Sequence, residues 1–308
     1  MTKIEQAIVN EAEEEIKLKT RKQRLWNIAK TILKIAVTSV LLVWVFSKVP
    51  IELLKFRLFN ANYWWMLAAL VCYFFSVIVS SWRLLSYFRS IGLNLDRRYN
   101  LRLYFLGLFY NFLLPGGIGG DGYKMYLINK TYKIPVKKLF WTVMFDRLSG
   151  LWAIGLLTVI LISLIPQINI HILIPMGIFG AGSAIYYFIA YRFFRDYTMF
   201  FFEGHAKALL LQLLQLLAIV CVLLGQGFTG KFSPYLLSFL ISAIAAIIPI
   251  TAGGAGAREA IFTKLADVFP MDKSLAVFLP SSVYIISLLI ALWGVYYVIR
   301  PGRLLKGL

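Results

Sequence analysis

Apolar residues fall in long blocks separated by short polar loops. The blocks run at about 28–46, 63–82, 103–128, 139–165, 172–190, 208–228, 234–269 and 275–299. A helix needs roughly 20 residues to cross a bilayer, so six blocks fit simple crossings. The other two, 103–128 and 234–269, each give about 12 apolar residues, then a Pro/Gly break, then a second helical piece. At about 1.5 Å per residue such an arm spans ~18 Å, which is mid-bilayer. The pattern predicts an all-α polytopic membrane protein with about six full crossings and two broken, re-entrant helical hairpins.

The polar positions set the orientation. Residues 1–27 form a charged segment in which Glu13–Lys17 and Glu15–Lys19 stand at helical i,i+4 spacing. It is too acidic for a signal peptide, has no small-residue cleavage site before the first block, and is expected to stay attached. With this segment cytoplasmic, the positive-inside rule decides the broken blocks. If 103–128 crossed, the loop with Lys130, Lys133, Lys137 and Lys138 would be external; if it turns back, that loop is internal. The loop 83–102, the cations Arg192, Arg195 and Lys207, and the basic tail 300–308 are then internal as well. Lys48, Lys55, Arg57, Lys231, Lys264 and Lys273 are left outside. Each half, about 28–165 and 172–299, reads span, span, hairpin, span, and the halves begin on opposite sides. That is an inverted repeat.

The breaks repeat as well. Laying Pro115 on Pro249, an offset of 134 residues, puts Gly119 on Gly253, Gly120 on Gly254, Gly122 on Gly256 and Lys124 on Arg258. Paired Gly/Pro-interrupted segments in corresponding halves point to the central site of a transporter.

Composition agrees with the blocks. The chain has 308 residues, 60% hydrophobic and 15% charged, with a mean hydropathy of +0.76. A soluble fold would need a core larger than one domain supplies. The net charge of +18 lies in short loops, the pattern of topology signals and anionic-lipid contacts, so no nucleic-acid partner is expected. Cys72 and Cys221 both lie in apolar blocks, and His171 and His205 are isolated; no disulfide framework, metal site or cofactor is predicted. Gly117 to Gly122 matches a dinucleotide fingerprint by spacing alone, without its βαβ setting.

Irregular backbone at membrane depth survives only inside protein or beside a wet cavity, so both breaks should be enclosed by the spans. After each break a short helix restarts, and its free N–H groups and positive dipole end form a ready anion site. The predicted substrate-binding residues are Gly116, Gly117, Gly119, Gly120, Asp121 and Lys124 at the first break. At the second they are Gly253, Gly254, Gly256, Arg258 and Glu259. The glycines admit a phosphate to the backbone, and Lys124 and Arg258 add positive charge. Asp121 either caps its own helix or couples protons. Asp146 and Arg147 are either an internal ion pair that fixes packing or part of substrate and proton handling. Arg258 either binds the headgroup or pairs with a hairpin carboxylate. Arg83, at a span end, is expected to snorkel. Asn111 and Tyr110 line the site or pack aromatically, and Trp64, Trp65 and Trp82 read as interface anchors.

Three stretches together resemble the lysylphosphatidylglycerol synthase/flippase transmembrane family. They are Asn111 through Gly122, Phe145 through Gly150, and Pro249 through Glu259. The resemblance covers roughly 28–299. It implies a membrane domain that moves lipids or lipid-linked groups between leaflets. Fused members carry a cytosolic domain that transfers an aminoacyl group from tRNA to lipid. This chain ends at Leu308, directly after its last block, so that domain and its activity are not expected.

The leading expectation is a lipid flippase in the inner cell membrane, with both termini cytoplasmic and no catalytic residues. Its cargo would be an anionic or phosphate-bearing lipid: a phospholipid, an aminoacyl-phospholipid or a lipid-linked precursor. One alternative is a membrane enzyme acting on a lipid headgroup through Asp121, Asp146 or Glu259. The other is a scaffold for a separately encoded lipid-modifying synthase.

Overall fold

Three of the helices begin where the sequence supplies a side-chain cap. The computed structural model describes residues 51–113, 119–165, 168, 170–245 and 257–304. The segment 1–27, the first apolar block and the centres of both breaks, with Gly116, Gly117, Gly253, Gly254 and Gly256, lie outside the described residues. The helices are α1 (Ile51–Phe59), α2 (Tyr63–Ser90), α3 (Arg97–Leu113), α4 (Gly119–Tyr132), α5 (Val136–Ser163) and α6 (Leu173–Phe193). A 3-10 turn, Arg195–Tyr197, leads to α7 (Phe201–Gly225), α8 (Ser233–Ala245), α9 (Ala257–Val268), α10 (Lys273–Ala291), α11 (Trp293–Ile299) and α12 (Pro301–Leu304). Among the described residues every regular element is helical.

Asn62 caps α2 by accepting the Trp64 N–H at 3.0 Å, and Asp272 caps α10 by accepting the Leu275 N–H at 2.7 Å. Asp96 accepts the N–H groups of Arg98 and Tyr99 at the start of α3. Each bond satisfies a donor that the first helical turn leaves free. Five segments are long and apolar enough to cross a membrane: α2, α5, α6, α7 and the continuous pair α10–α11. They coincide with five of the six predicted crossings; the first lies outside the described residues.

α2 and α7 lie antiparallel along their whole length. At one end a Cβ on Gly225 would meet Met66 Sδ at 3.3 Å; at the other a Cβ on Gly204 would meet the Tyr87 hydroxyl at 2.4 Å. Around this pair the core divides along the bundle axis into two clusters. One includes Leu84, Phe88, Leu103, Phe109, Leu139, Phe145, Phe201 and Val298. The other includes Val77, Leu161, Val222, Leu240, Phe262 and Leu279.

Each cluster ends in its own set of loops. At the first, Tyr99 stacks near Tyr132 at 6.4 Å, Trp141 lies 4.5 Å from Phe194, and Arg102 Nη1 donates to the Arg303 carbonyl at 3.2 Å. The predicted internal cations of loops 83–102, 130–138 and 192–207 and the tail therefore share one end, called here the cation-rich end. At the far end Asn62 N–H donates to Gly225 O at 2.8 Å, and Arg57 Nε reaches Ser274 Oγ at 3.2 Å.

Candidate functional site

α3 and α4 are the two arms of an antiparallel hairpin, and glycine brings them into backbone contact. A Cβ on Gly120 would lie 1.7 Å from the Gly107 carbonyl oxygen. No other residue fits there. The Tyr110 and Tyr123 rings pack at 4.4 Å with a 44° tilt, and the open end closes with Tyr99 and Tyr132. At the tip, Asn111 Oδ1 accepts the Gly120 N–H at 2.8 Å. Asn111 on one arm thus caps the helix that restarts on the other, and the capping alternative for Asp121 does not apply.

Asp121 is instead the centre of an ion cluster. Its Oδ1 lies 2.7 Å from Lys124 Nζ, and its Oδ2 accepts from Arg147 Nε at 2.8 Å and from Arg147 Nη2. The Lys124 ammonium also sits 4.8 Å above the Tyr104 ring. Asp121 and Lys124 are both almost fully buried, so each is compensated inside the protein.

One turn of α5 supplies a second pair. Arg83 Nε and Nη2 donate to Asp146 Oδ1 and Oδ2 at 2.8 and 3.0 Å, a buried two-pronged contact. Gly150 makes room for it: a Cβ there would stand 3.0 Å from Arg83 Nη1. Arg83 therefore does not snorkel. It is 7% exposed and turned inward, because Asp146 offers it a carboxylate that water would otherwise replace. Asp146 and Arg147, adjacent in sequence, take their hydrogen-bonded ion pairs from other helices, while Asp146 stays within electrostatic reach of Arg147. They reach to α2 and α4 respectively, and so fasten α5 to both.

The second hairpin is α8 with α9. Tyr235 accepts the Asp272 N–H at 2.8 Å at its open end, and Arg258 lies 5.7 Å from the Phe239 ring near its tip. The arms are again antiparallel. Arg258 is partly buried and within electrostatic reach of Tyr73 on α2. Its Nη1 is buried with no hydrogen-bond partner among the described residues. Glu259 accepts from Ser281 Oγ at 3.3 Å.

Both hairpins converge on one turn of α10. Phe112, at the tip of the first, packs 5.4 Å from Tyr284, and Glu259 of the second meets Ser281, one turn earlier. The Tyr284 hydroxyl is buried and without a partner among the described residues. Of the predicted residues, Gly119, Gly120, Asp121 and Lys124 gather at the first hairpin, with Arg147. Arg258 and Glu259 stand at the second. Asp146 belongs to the adjoining pair with Arg83. Sequence reasoning did not single out Gly107, Tyr104, Tyr73 or Tyr284. A glycine eight residues before Pro115, inside an apolar block, was the available sign for Gly107. For the tyrosines, set among many aromatic residues, no sign was available.

Among the described residues, a guanidinium nitrogen and a phenol hydroxyl thus stand without a hydrogen-bond partner beside two helix restarts. Such donors suit an anionic oxygen ligand. Among the described residues no group of His, Cys, Asp and Glu could hold a metal. No curated protein and no solved structure gives a significant match to the chain. The family described as "Lysylphosphatidylglycerol synthase TM region" matches residues 31–298, and with that span covered the chain belongs to this family of membrane proteins.

Proposed function

We propose that the chain is a lipid transporter that moves a phosphate-bearing lipid between leaflets, with Arg258 holding the headgroup. The observation that carries this reading is the contrast between Lys124 and Arg258. In the offset of 134 residues they occupy equivalent places, yet Asp121 falls on Ala255. Lys124 has its carboxylate beside it at 2.7 Å; Arg258 keeps a buried Nη1 without a hydrogen-bond partner among the described residues. A buried donor left open costs about 1–3 kcal/mol or more if charged, a penalty that a bound anion relieves.

The same offset supports an inverted repeat. Added to the bounds of α2, it gives 197–224, over α7 at Phe201–Gly225. α3 and α4 fall at 231–247 and 253–266, over α8 and α9, and α5 falls at 270–297, over α10–α11. The hairpins enter from opposite ends, the first from the cation-rich end and the second from the far end. With the cation-rich end facing the cytoplasm, both are re-entrant and their tips face a shared chamber at the midplane. The headgroup crosses through that chamber while the acyl chains stay in lipid, and the halves open it alternately to each side. No bond is made or broken in this cycle.

The test is reconstitution. In vesicles containing a fluorescent anionic phospholipid, the protein should accelerate leaflet exchange, read as accessibility to a membrane-impermeant quencher. Arg258→Ala should lose that exchange while keeping its tryptophan emission spectrum. Exchange at the wild-type rate in Arg258→Ala would remove this site.

A further inference from the structure

A second, separate cavity lies at the cation-rich end, between the last turns of α2 and the first turns of α7. Its volume is about 280 Å³, and it is lined by Trp82, Leu85, Arg89, Arg97, Glu203 and Lys207. Three of these are cations and one is an anion. Glu203 is engaged: it accepts from Lys207 Nζ and from Ser86 Oγ at 3.0 Å. Neither the Arg89 nor the Arg97 guanidinium has an ion pair or hydrogen bond among the described residues, and Arg89 lies within electrostatic reach of Glu203. The cavity therefore presents two guanidinium groups without a direct hydrogen bond among the described residues, with Lys207 beside them, and its three cations outnumber its one carboxylate.

The surface leading away from the cavity is apolar. Along α7 the face that carries Lys207 continues through Leu210, Leu213 and Leu217, all nearly half exposed. Along α2 the face of Trp82 continues through Phe75 and Val71. α2 and α7 are neighbours, so the two stripes form one lane that runs from the cavity toward the far end. Cations at the mouth and a long apolar lane below match a molecule with an anionic head and hydrocarbon tails. A soluble anion would have no use for the lane.

We propose that this cavity holds the phosphate headgroup of a membrane phospholipid that stays bound and is not the transported cargo. Arg89 and Arg97 grip the phosphate, Trp82 covers the glycerol region, and the tails lie along the lane. The lipid clamps α2 to α7, the pair at the centre of the bundle. This site lies at one end of the bundle and does not depend on the transport reading.

The experiment is native mass spectrometry of delipidated full-length protein, carried out in an Arg258→Ala background so that the central site contributes nothing. Phosphatidylglycerol, phosphatidylcholine and glycerol 3-phosphate are the probes. Phosphatidylglycerol should be retained in preference to phosphatidylcholine. A basic side chain near a lipid surface contributes roughly fivefold in affinity, so Arg97→Gln should weaken retention about fivefold and Arg89→Gln/Arg97→Gln about 25-fold. Lys231→Gln/Lys273→Gln, at the far end, should leave it unchanged. Arg97 is exposed and has no ion pair among the described residues, so its single variant decides the matter if the double variant does not fold. Equal retention by wild type and the arginine variants overturns the site. Glycerol 3-phosphate binding as tightly as the lipid overturns the lipid assignment.

Discussion

Arg83 and Asp146 stand 63 residues apart in sequence and meet through two parallel hydrogen bonds of 2.8 and 3.0 Å. Both are buried, so each cancels a charge that the apolar surroundings would otherwise leave bare. Asp146→Ala removes one partner and strands the guanidinium; the expected loss is about 3 kcal/mol. Arg83→Leu/Asp146→Leu removes both charges and should recover most of it. Thermal unfolding in detergent, followed by tryptophan fluorescence, checks this. A double variant no more stable than Asp146→Ala would contradict it.

Gly120 and Gly122 are separated by one residue and should respond oppositely to alanine. At Gly120 the new methyl would overlap the Gly107 carbonyl, so the hairpin must splay, at a cost of about 1–3 kcal/mol or more. At Gly122 nothing lies within 4 Å of the added Cβ, and the helix gains up to about 1 kcal/mol. Melting temperatures of the two single variants give the comparison. A neutral Gly120→Ala would mean that the arms do not touch.

Lys124 and Arg258 should also differ. Lys124→Met leaves Asp121 with one cation in place of two, and should lower the melting temperature. Arg258→Met relieves a buried nitrogen that has no partner among the described residues, and should leave stability unchanged or raise it. The prediction fails if Arg258→Met is the more damaging of the two.

Sidedness can be measured directly. Lys133 and Lys273 are both exposed, and they belong to loops at opposite ends of the bundle. In a Cys72→Ser/Cys221→Ser background, Lys133→Cys and Lys273→Cys should react with an impermeant maleimide from opposite faces of the membrane. Labelling of both from one face would end the inverted arrangement.

Much of this architecture could be read from the sequence, because the breaks and the blocks are one-dimensional signals. Pro and Gly interrupt helices wherever they fall, so α3, α4, α8 and α9 begin and end close to the positions that the breaks dictate. Charge in short loops sorted the loops by end, and the structure gathers them in the same way. Pairing was not legible. Arg83 looked like a span-end residue because distance along a helix does not reveal which face turns inward. Its partner Asp146 stands out only as a neighbour of Arg147, and adjacency along the chain does not reveal that the two reach to different helices. Asn111 was noted without its capping role, since that role exists only once the two arms of the hairpin are side by side.

The two hairpins also differ in how firmly each is held. Three charged side chains and an asparagine bolt the first to α5 and to itself, so it serves as a fixed jaw. In the second, Arg258 Nη1 has no hydrogen-bond partner among the described residues, and on the proposed function the arriving anion sets its resting place. On the proposed function, filling and emptying of that berth moves one jaw against a stationary one.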